Sequence, residues 1–302
     1  KMTIDRRHFL AALSATTLAG ADDRKPMHVA TNQYPWFTYF AREKRDWNAN
    51  VEASLADVAR SGLQGLEPLV SSPEQVKSLI PLLRKHGLDM NSLYVSSKLH
   101  DPADANRSIE TVLAIGEASR PFGCHILVTN PDPLGWAKGE GKSDAQLETQ
   151  AKNLDKLGAE LARHGQRLAY HNHDMELKFA ARELHHMMLA TDPAKVFLCL
   201  DAHWMYRGSG NSQVALFDIV KLYGKRVVEL HLRQSREGVW SEVFGKGDID
   251  YIRLSKILLA QGVKPHLVLE QAVEGKSPNT MTCVQAHSEG VKYVREVFGE
   301  LG

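Results

Sequence analysis

The chain has 302 residues, 43% hydrophobic and 24% charged, and 37 basic against 36 acidic side chains give a formal net charge of +1. This composition is typical of a globular protein that buries a sizeable core, and it excludes a disordered or fibrous chain. A nearly neutral balance offers no basic surface to a phosphate backbone, so nucleic acid is disfavoured as a partner. The three cysteines, Cys124, Cys199 and Cys283, are too few for a disulfide framework or a cysteine-rich zinc site.

The first 21 residues have the pattern of an export signal. Asp5-Arg-Arg-His-Phe-Leu10 is followed by a short apolar run and then by small residues up to Ala21. A charged start, an apolar middle and a small-residue cleavage site predict a secretory signal peptide, with an amphipathic N-terminal helix as the alternative. The paired arginines resemble the twin-arginine motif, which implies a periplasmic or otherwise exported protein. The apolar run is too short to span a bilayer, and no other segment approaches the required length, so we expect no membrane span.

From residue 27 onwards, short β-prone runs alternate with amphipathic helices. The predicted strands are Met27–Asn32, Leu63–Leu69, Asp89–Val95, Cys124–Asn130, the run that begins at Leu168, Val196–Asp201, Arg226–Leu232 and Pro265–Glu270. The predicted helices are Asn50–Ser61, Pro73–His86, Pro102–Ser119, Asp144–His164, Ala181–Ala190, Val214–Tyr223, a helix capped by Asp250, and Cys283–Phe298.

Eight strand–helix units at a spacing of roughly 30 residues predict a parallel sheet that closes into a (β/α)8 TIM barrel. A doubly wound open sheet is the rival, but it would normally carry a glycine-rich turn after the first strand, where this chain has Asn32-Gln-Tyr-Pro-Trp36. We expect a single catalytic domain over residues 27–300.

Polar side chains of a metal-binding type stand where four of the predicted strands end. In the order of strands five to eight they are His171 with His173 and Glu176, Asp201, His231, and Glu270. Active sites of TIM barrels lie at the C-terminal strand ends, so we expect these side chains to converge. A lone Asp or His at a strand end is more often a loop cap or a hydrogen-bonded core group. The joint placement favours one divalent ion, and the mixed nitrogen and oxygen donors suit Mn²⁺, Co²⁺, Mg²⁺ or Zn²⁺.

Over essentially all of residues 27–300 the chain resembles the sugar phosphate isomerase/epimerase family of xylose-isomerase-like barrels. The segments that carry the resemblance are Tyr170–Glu176, Leu200–Trp204, Glu229–Arg233, Gly245–Asp250 and Leu269-Glu270. In that family one divalent metal, often Mn²⁺, is held by Glu, Asp, His and Glu from strands five to eight. The resemblance therefore implies that Asp201, His231 and Glu270 are metal ligands.

The fifth strand departs from the family pattern. Epimerases of the family have a Glu directly at this strand end, where the present chain has His171, and members with the His-Asn-His pattern also have a Glu in the place of Glu176. We therefore predict Glu176 as the fourth ligand, with His171 as the alternative. Together with Glu270, the pair His171 and His173 supplies acid–base groups near neutral pH.

The expected chemistry is proton transfer alpha to a carbonyl, through a metal-stabilised enediolate. Return of the proton makes the protein a sugar or keto-sugar isomerase or epimerase, which is our first expectation. Expulsion of a beta substituent makes it a lyase or dehydratase acting on a 3-keto-glycoside or an inosose, an alternative that the His-Asn-His pattern and export favour. A metal-dependent phosphodiesterase or endonuclease and a non-catalytic sugar-binding protein are further alternatives, and assembly into a homo-oligomer is left open.

Five further residues are expected to contact the substrate: Glu67, Trp36, His203, Trp204 and Arg233. Glu67 ends the second strand, where it either binds substrate hydroxyls or caps the following helix. Tyr34, Trp36, Phe37 and Trp204 suit an apolar wall for a sugar ring, with core packing as the alternative. Arg233 follows His231 by two residues and either fixes an anionic or hydroxyl group or pairs with a carboxylate.

Overall fold

The computed structural model describes residues 27–136 and 139–301. The predicted signal segment, residues 1–21, lies outside these residues, and export stays a prediction. The described residues contain eight parallel strands that are hydrogen-bonded into one sheet. They are β1 Ala30–Asn32, β2 Gly65–Glu67, β3 Ser92–Tyr94, β4 Ile126–Thr129, β5 Arg167–His171, β6 Val196–Asp201, β7 Val227–Leu232 and β8 His266–Leu269.

The sheet closes on itself as a barrel. Neighbouring strands run in the order β2-β1-β8-β7-β6-β5-β4-β3, and every pair is parallel. The two strands at the ends of this order, β2 and β3, are joined by isolated bridges, Gly65 with Asp89 and Leu69 with Tyr94. The predicted TIM barrel is therefore confirmed, and the doubly wound open sheet is excluded.

Helices follow the strands along the chain and cover the outside of the barrel. Those of seven residues or more in the described ranges are α1 Tyr34–Arg42, α2 Val51–Arg60, α3 Pro73–Lys85, α4 Pro102–Ser119, α5 Asp144–Arg163, α6 Lys178–Ala190, α7 Ala202–Gly208, α8 Gln213–Tyr223, α9 Tyr251–Ala260 and α10 Cys283–Phe298. Within this part of the chain no helix is both long and apolar enough to cross a membrane.

Local side-chain caps fix where several helices begin. Ser143 before α5 and Thr282 before α10 each form a capping box, in which the hydroxyl and a glutamine three residues later satisfy each other's main-chain N–H groups. Asp250 accepts the main-chain N–H of Arg253 at the start of α9, as the sequence predicts. These caps place each helix start directly after the loop that leaves the barrel mouth.

Two short helices, α1 and α7, lie outside the predicted helices. Pro35 occupies the first turn of α1, where its missing N–H costs nothing. At the start of α7, Asp201 Oδ1 accepts the main-chain N–H of Trp204 at 2.8 Å. In the predicted loop after β7, a small hairpin pairs Ser235–Arg236 with Val239–Trp240.

The hydrophobic core has two parts. The larger part lies between the strands and the helices, and a small cluster inside the barrel contains Ile126, Val128, Ala169 and Cys199, with Tyr94 packed against it. Ala169 and Cys199 lie two residues before His171 and Asp201 on the same strands, so the alternation of the strands directs all four side chains towards the interior. This places the polar strand ends at one mouth of the barrel.

Candidate metal centre and active site

Four buried side chains converge where β5, β6, β7 and β8 end. They are His171, Asp201, His231 and Glu270, and one potential ligand atom from each lies within 4.8 Å of the others. Within the described residues, no hydrogen bond reaches either ring nitrogen of His171, Oδ2 of Asp201, Nδ1 of His231 or Oε2 of Glu270. Buried polar atoms without partners cost several kcal/mol each in principle, and a shared cation would satisfy all four residues at once. The donor set therefore fits a divalent metal ion.

His231 and Glu270 lie close together but do not form a hydrogen bond with each other. Nδ1 of His231 and Oε2 of Glu270 lie 2.6 Å apart, but not in hydrogen-bonding geometry. The other oxygen of Glu270, Oε1, accepts a hydrogen bond from Nη2 of Arg233 at 2.9 Å. Although burial alone would raise its pKa, the charges of Arg233 and His231 lower the pKa of Glu270 below its usual range. Glu270 is therefore ionised, which is the form in which a carboxylate can bind a cation.

Beneath the four residues, two buried carboxyl groups face the second ring nitrogen of His231. Nε2 lies 3.1 Å from Oε1 of Glu67 and 3.1 Å from Oε1 of Glu229. Glu67 also accepts hydrogen bonds from Asn32 Nδ2 and Ser92 Oγ. This arrangement holds the imidazole by one nitrogen and presents the other, Nδ1, to the metal position.

The two carboxyl groups differ in charge. Burial alone would raise the pKa of Glu67, but the charge of His231, followed by hydrogen bonds that involve Glu229 and Asn32, lowers it to about 2. Burial, followed by the charge of Glu67, raises the pKa of Glu229 well above its usual range. Glu67 is therefore the ionised acceptor for His231, and Glu229 is a neutral acid. Glu229 is not among the site residues predicted from the sequence.

Glu176, the predicted fourth ligand, lies outside the converging group. Its Oε1 accepts a hydrogen bond from Asn130 Nδ2 at 2.9 Å, and its Oε2 accepts the main-chain N–H of His173 at 2.7 Å. Burial, followed by the charge of Glu183, raises the pKa of Glu176 to about 7. Both oxygens thus serve to fix the turn after β5. The converging group thus contains His171, the alternative fourth ligand, and not Glu176.

A cleft of about 540 Å³ opens beside the converging group. Five of the residues predicted for catalysis or substrate contact line it: His171, His173, Trp204, Arg233 and Glu270. Tyr34, which belongs to the predicted apolar wall, also lines it, as do two aromatic residues without a predicted role, Tyr94 and Trp136. The cleft has the size and the mixed lining of a small-molecule site.

His173 is the acid–base candidate that the ligand group leaves free. Its ring centroid lies 4.6 Å from that of His171, 4.9 Å from that of Trp136 and 5.8 Å from that of Trp204. Burial lowers the pKa of His173 to about 4, although the charge of Glu270 opposes the shift. The imidazole is therefore neutral near pH 7 and can accept a proton.

Arg233 is completely buried, yet part of it faces the cleft. Its guanidinium carbon lies 5.2 Å from the ring centroid of Trp204 and 4.3 Å from that of Trp240, so it packs against both indole rings. Nε and Nη2 donate to Glu270, whereas Nη1 finds no acceptor among the described residues. That nitrogen is available to a substrate oxygen.

Three predicted substrate contacts do not reach the cleft. Trp36 is fully buried under α1, where its indole stacks on His287 and donates to Thr31 Oγ1. His203 is fully buried against Trp204 and Trp240, and Glu67 lies beneath the ligand group. The apolar wall of the cleft is thus formed by Trp204 and by residues other than Trp36.

Comparison with known proteins finds a matching family model and similar proteins. A family model described as xylose isomerase-like TIM barrel matches residues 55–296. An inosose dehydratase of Clostridium perfringens is 26% identical over 273 residues, which cover 81% of this chain and 89% of that protein. An inosose dehydratase of Clostridium botulinum is 24% identical over 277 residues, with the same shares of the two chains.

Solved structures share the fold. A sugar phosphate isomerase/epimerase from Parabacteroides distasonis superposes with a TM-score of 0.71 at 17% identity and covers 92% of this chain and 97% of its own. The 3-keto-D-glucoside 4-epimerase from E. coli superposes with a TM-score of 0.65 at 14% identity and covers 89% of this chain and 99% of its own.

Proposed function

Because the chain belongs to the xylose isomerase-like TIM barrel family, we propose that it is a divalent-metal-dependent enzyme that moves the proton alpha to the carbonyl of a sugar or keto-sugar. The first candidate is an isomerase or epimerase. One observation carries the proposal: four buried ligand side chains, with unpaired atoms among the described residues, adjoin a cleft that also holds a neutral imidazole and an arginine. Relatives named as sugar epimerases and inosose dehydratases support it, because both kinds of reaction begin with removal of such a proton.

His171, Asp201, His231 and Glu270 would hold the ion. When bound, a divalent cation supplies a Lewis acid that polarises a carbonyl and makes the neighbouring proton more acidic. Two nitrogen and two oxygen donors suit Mn²⁺, Co²⁺, Mg²⁺ or Zn²⁺, and Mn²⁺ remains our preferred ion.

His173 is the residue best placed to take the proton. Its imidazole is neutral and lines the cleft, and its main-chain N–H is fixed by a hydrogen bond to Glu176. Glu270 is ionised, but one of its oxygens belongs to the ligand group and the other accepts from Arg233, which leaves it a secondary acid–base role. Nη1 of Arg233 would bind a hydroxyl or carbonyl oxygen of the substrate, and the indole of Trp204 would cover an apolar face of the ring.

A lyase or dehydratase is the second candidate. β5 ends in a histidine and not in a glutamate. The acid–base groups on the cleft are therefore His173 and Glu270, which are chemically unequal. Elimination suits such a pair, because one group removes a proton while the other protonates the leaving group. The similarity to inosose dehydratases over about four fifths of the chain also favours this candidate.

Hydrogen exchange in D₂O tests both candidates. Metal-replete protein is incubated with keto-sugars and inososes, and the substrates are followed by NMR. Deuterium entering an intact or isomerised sugar indicates an isomerase or epimerase, whereas release of a beta substituent indicates a lyase. Absence of exchange with every keto-sugar in the presence of metal would refute the proposal.

Two other classes make different predictions. A phosphodiesterase or endonuclease needs several metal ions, with further ligands from strands two to four. In the described residues, the three groups able to hold a metal take only Glu67, on β2, from these strands. We therefore expect one bound ion per chain by metal analysis. A non-catalytic sugar-binding protein would bind its sugar equally well after chelation.

A further inference from the structure

Two large hydrophobic side chains that are more than one third exposed line the cleft. Trp136 is 57% exposed and Tyr34 is 38% exposed. The other exposed large hydrophobic residues of the described chain lie away from the cleft. Trp136 is thus an uncovered indole at the opening of the candidate active site, where an apolar ligand surface would remove it from water.

The loop that carries Trp136 is anchored on both sides. Lys142 is almost fully buried, and its Nζ contacts Glu183 Oε1 on α6 at 2.7 Å and the main-chain oxygen of Pro131 at 3.2 Å. Arg182 of α6 donates to the main-chain oxygen of Lys142. These contacts tie the loop together at Pro131 and Lys142, and the indole of Trp136 itself contacts the ring of His173.

Successive ring contacts connect the ligand group with Trp136. The centroid of His171 lies 4.9 Å from that of His231 and 4.6 Å from that of His173, and the centroid of His173 lies 4.9 Å from that of Trp136. A sugar carbon that reacts beside His173 would leave Trp136 about one ring further out. The cleft volume of about 540 Å³ lies within the range that holds ligands larger than a single sugar.

We propose that Trp136 forms a subsite for a second ring, so that the substrate is a glycoside whose aglycone presents a flat apolar face to this indole. The position of the reacting sugar rests on the proposed function. The subsite itself rests on the exposure, the anchoring and the ring distances of Trp136. Aromatic aglycones and the apolar face of a second sugar share this chemistry, and the two are distinguished by the choice of probe.

Binding of unreactive glycosides tests the subsite. Metal-loaded protein is titrated calorimetrically with methyl β-glucoside, 4-nitrophenyl β-glucoside and cellobiose. We expect at least one of the two-ring probes to bind about three- to tenfold more tightly than the methyl glycoside. Preference for the nitrophenyl compound indicates an aromatic aglycone, and preference for cellobiose indicates a second sugar.

The variant Trp136→Ala should abolish this preference and leave the affinity for the methyl glycoside unchanged. Leu134→Ala is the matched control, because Leu134 is 39% exposed in the same loop but does not line the cleft. Circular dichroism verifies that both variants are folded. The proposal is overturned if neither two-ring probe is preferred, or if Trp136→Ala weakens all three probes equally.

The test separates the subsite from the proposed function. If no keto-sugar exchanges its proton but the preference depends on Trp136, the proposed reaction fails and the subsite stands. If exchange occurs without any such preference, the reaction stands and the subsite fails.

Discussion

The two carboxyl groups beneath His231 should affect metal binding unequally. Glu67 and Glu229 lie equally close to Nε2 of His231, at 3.1 Å, but only Glu67 is ionised. Glu67→Gln replaces a charged acceptor by a neutral amide and removes the group that keeps the proton on Nε2. Loss of such a partner weakens metal affinity about 10–100-fold, which corresponds to about 1.4–2.7 kcal/mol at 1.36 kcal/mol per factor of ten.

Glu229→Gln is expected to change the affinity little, because an amide is nearly isosteric with a neutral carboxylic acid. Competition between protein and a fluorescent chelator for Mn²⁺ and Zn²⁺ measures all affinities under the same conditions. Glu242→Gln serves as a control, since Glu242 is buried but binds Thr280 and contacts Arg42 rather than a candidate ligand. Wild-type affinity in Glu67→Gln, or a larger loss in Glu229→Gln, would refute the reasoning.

Four further outcomes follow from the site. His173→Gln should slow proton exchange by about 10²–10⁴-fold and leave metal affinity unchanged, and a parallel loss of metal would contradict its role as the proton acceptor. Arg233→Met removes the guanidinium that pairs with the buried carboxylate of Glu270. The free energy of unfolding of the metal-free protein, measured in urea, should fall by about 3 kcal/mol. The same stability as the wild type would show that the pair contributes nothing. Burial raises the pKa of Asp201 from 3.8 to about 6, so a proton competes with the metal below that pH, and metal affinity should fall as the pH decreases from 7 to 5. In the metal-free protein, the raised pKa means that the folded state holds this proton more tightly than the unfolded state. The resulting stabilisation is complete below pH 3.8 and is lost as the pH rises through 6. Exhaustive chelation should abolish exchange, and Mn²⁺ should restore it; activity that survives chelation would exclude the metal mechanism.

The sequence predicted most of the fold because the alternation of strands and helices is regular. The last helix, Cys283–Phe298, and the sixth strand, Val196–Asp201, have the predicted bounds. The two short helices α1 and α7 were not predicted, because few residues separate them from the preceding strands. In addition, Asp201 was considered only as a ligand and not as the cap of α7.

At the candidate site, strand ends identified the converging residues, and the alternation of side chains would also have identified Glu229, two residues before His231 on the same face. The choice between His171 and Glu176 depended on Asn130, which arrives from another strand and occupies a carboxylate oxygen of Glu176. Trp136 lies in a loop without periodicity, so only the structure brings it to the mouth.

One carboxylate links two parts of the mouth. Oδ1 of Asp201 begins α7 by accepting the N–H of Trp204, while Oδ2 is directed to the ligand group. Any shift of this side chain on loading or unloading an ion would be transmitted to the indole of Trp204 through a single hydrogen bond. Trp204 would thereby report occupancy through tryptophan emission, and Asp201→Asn, which keeps the cap oxygen, would uncouple that emission from added cation.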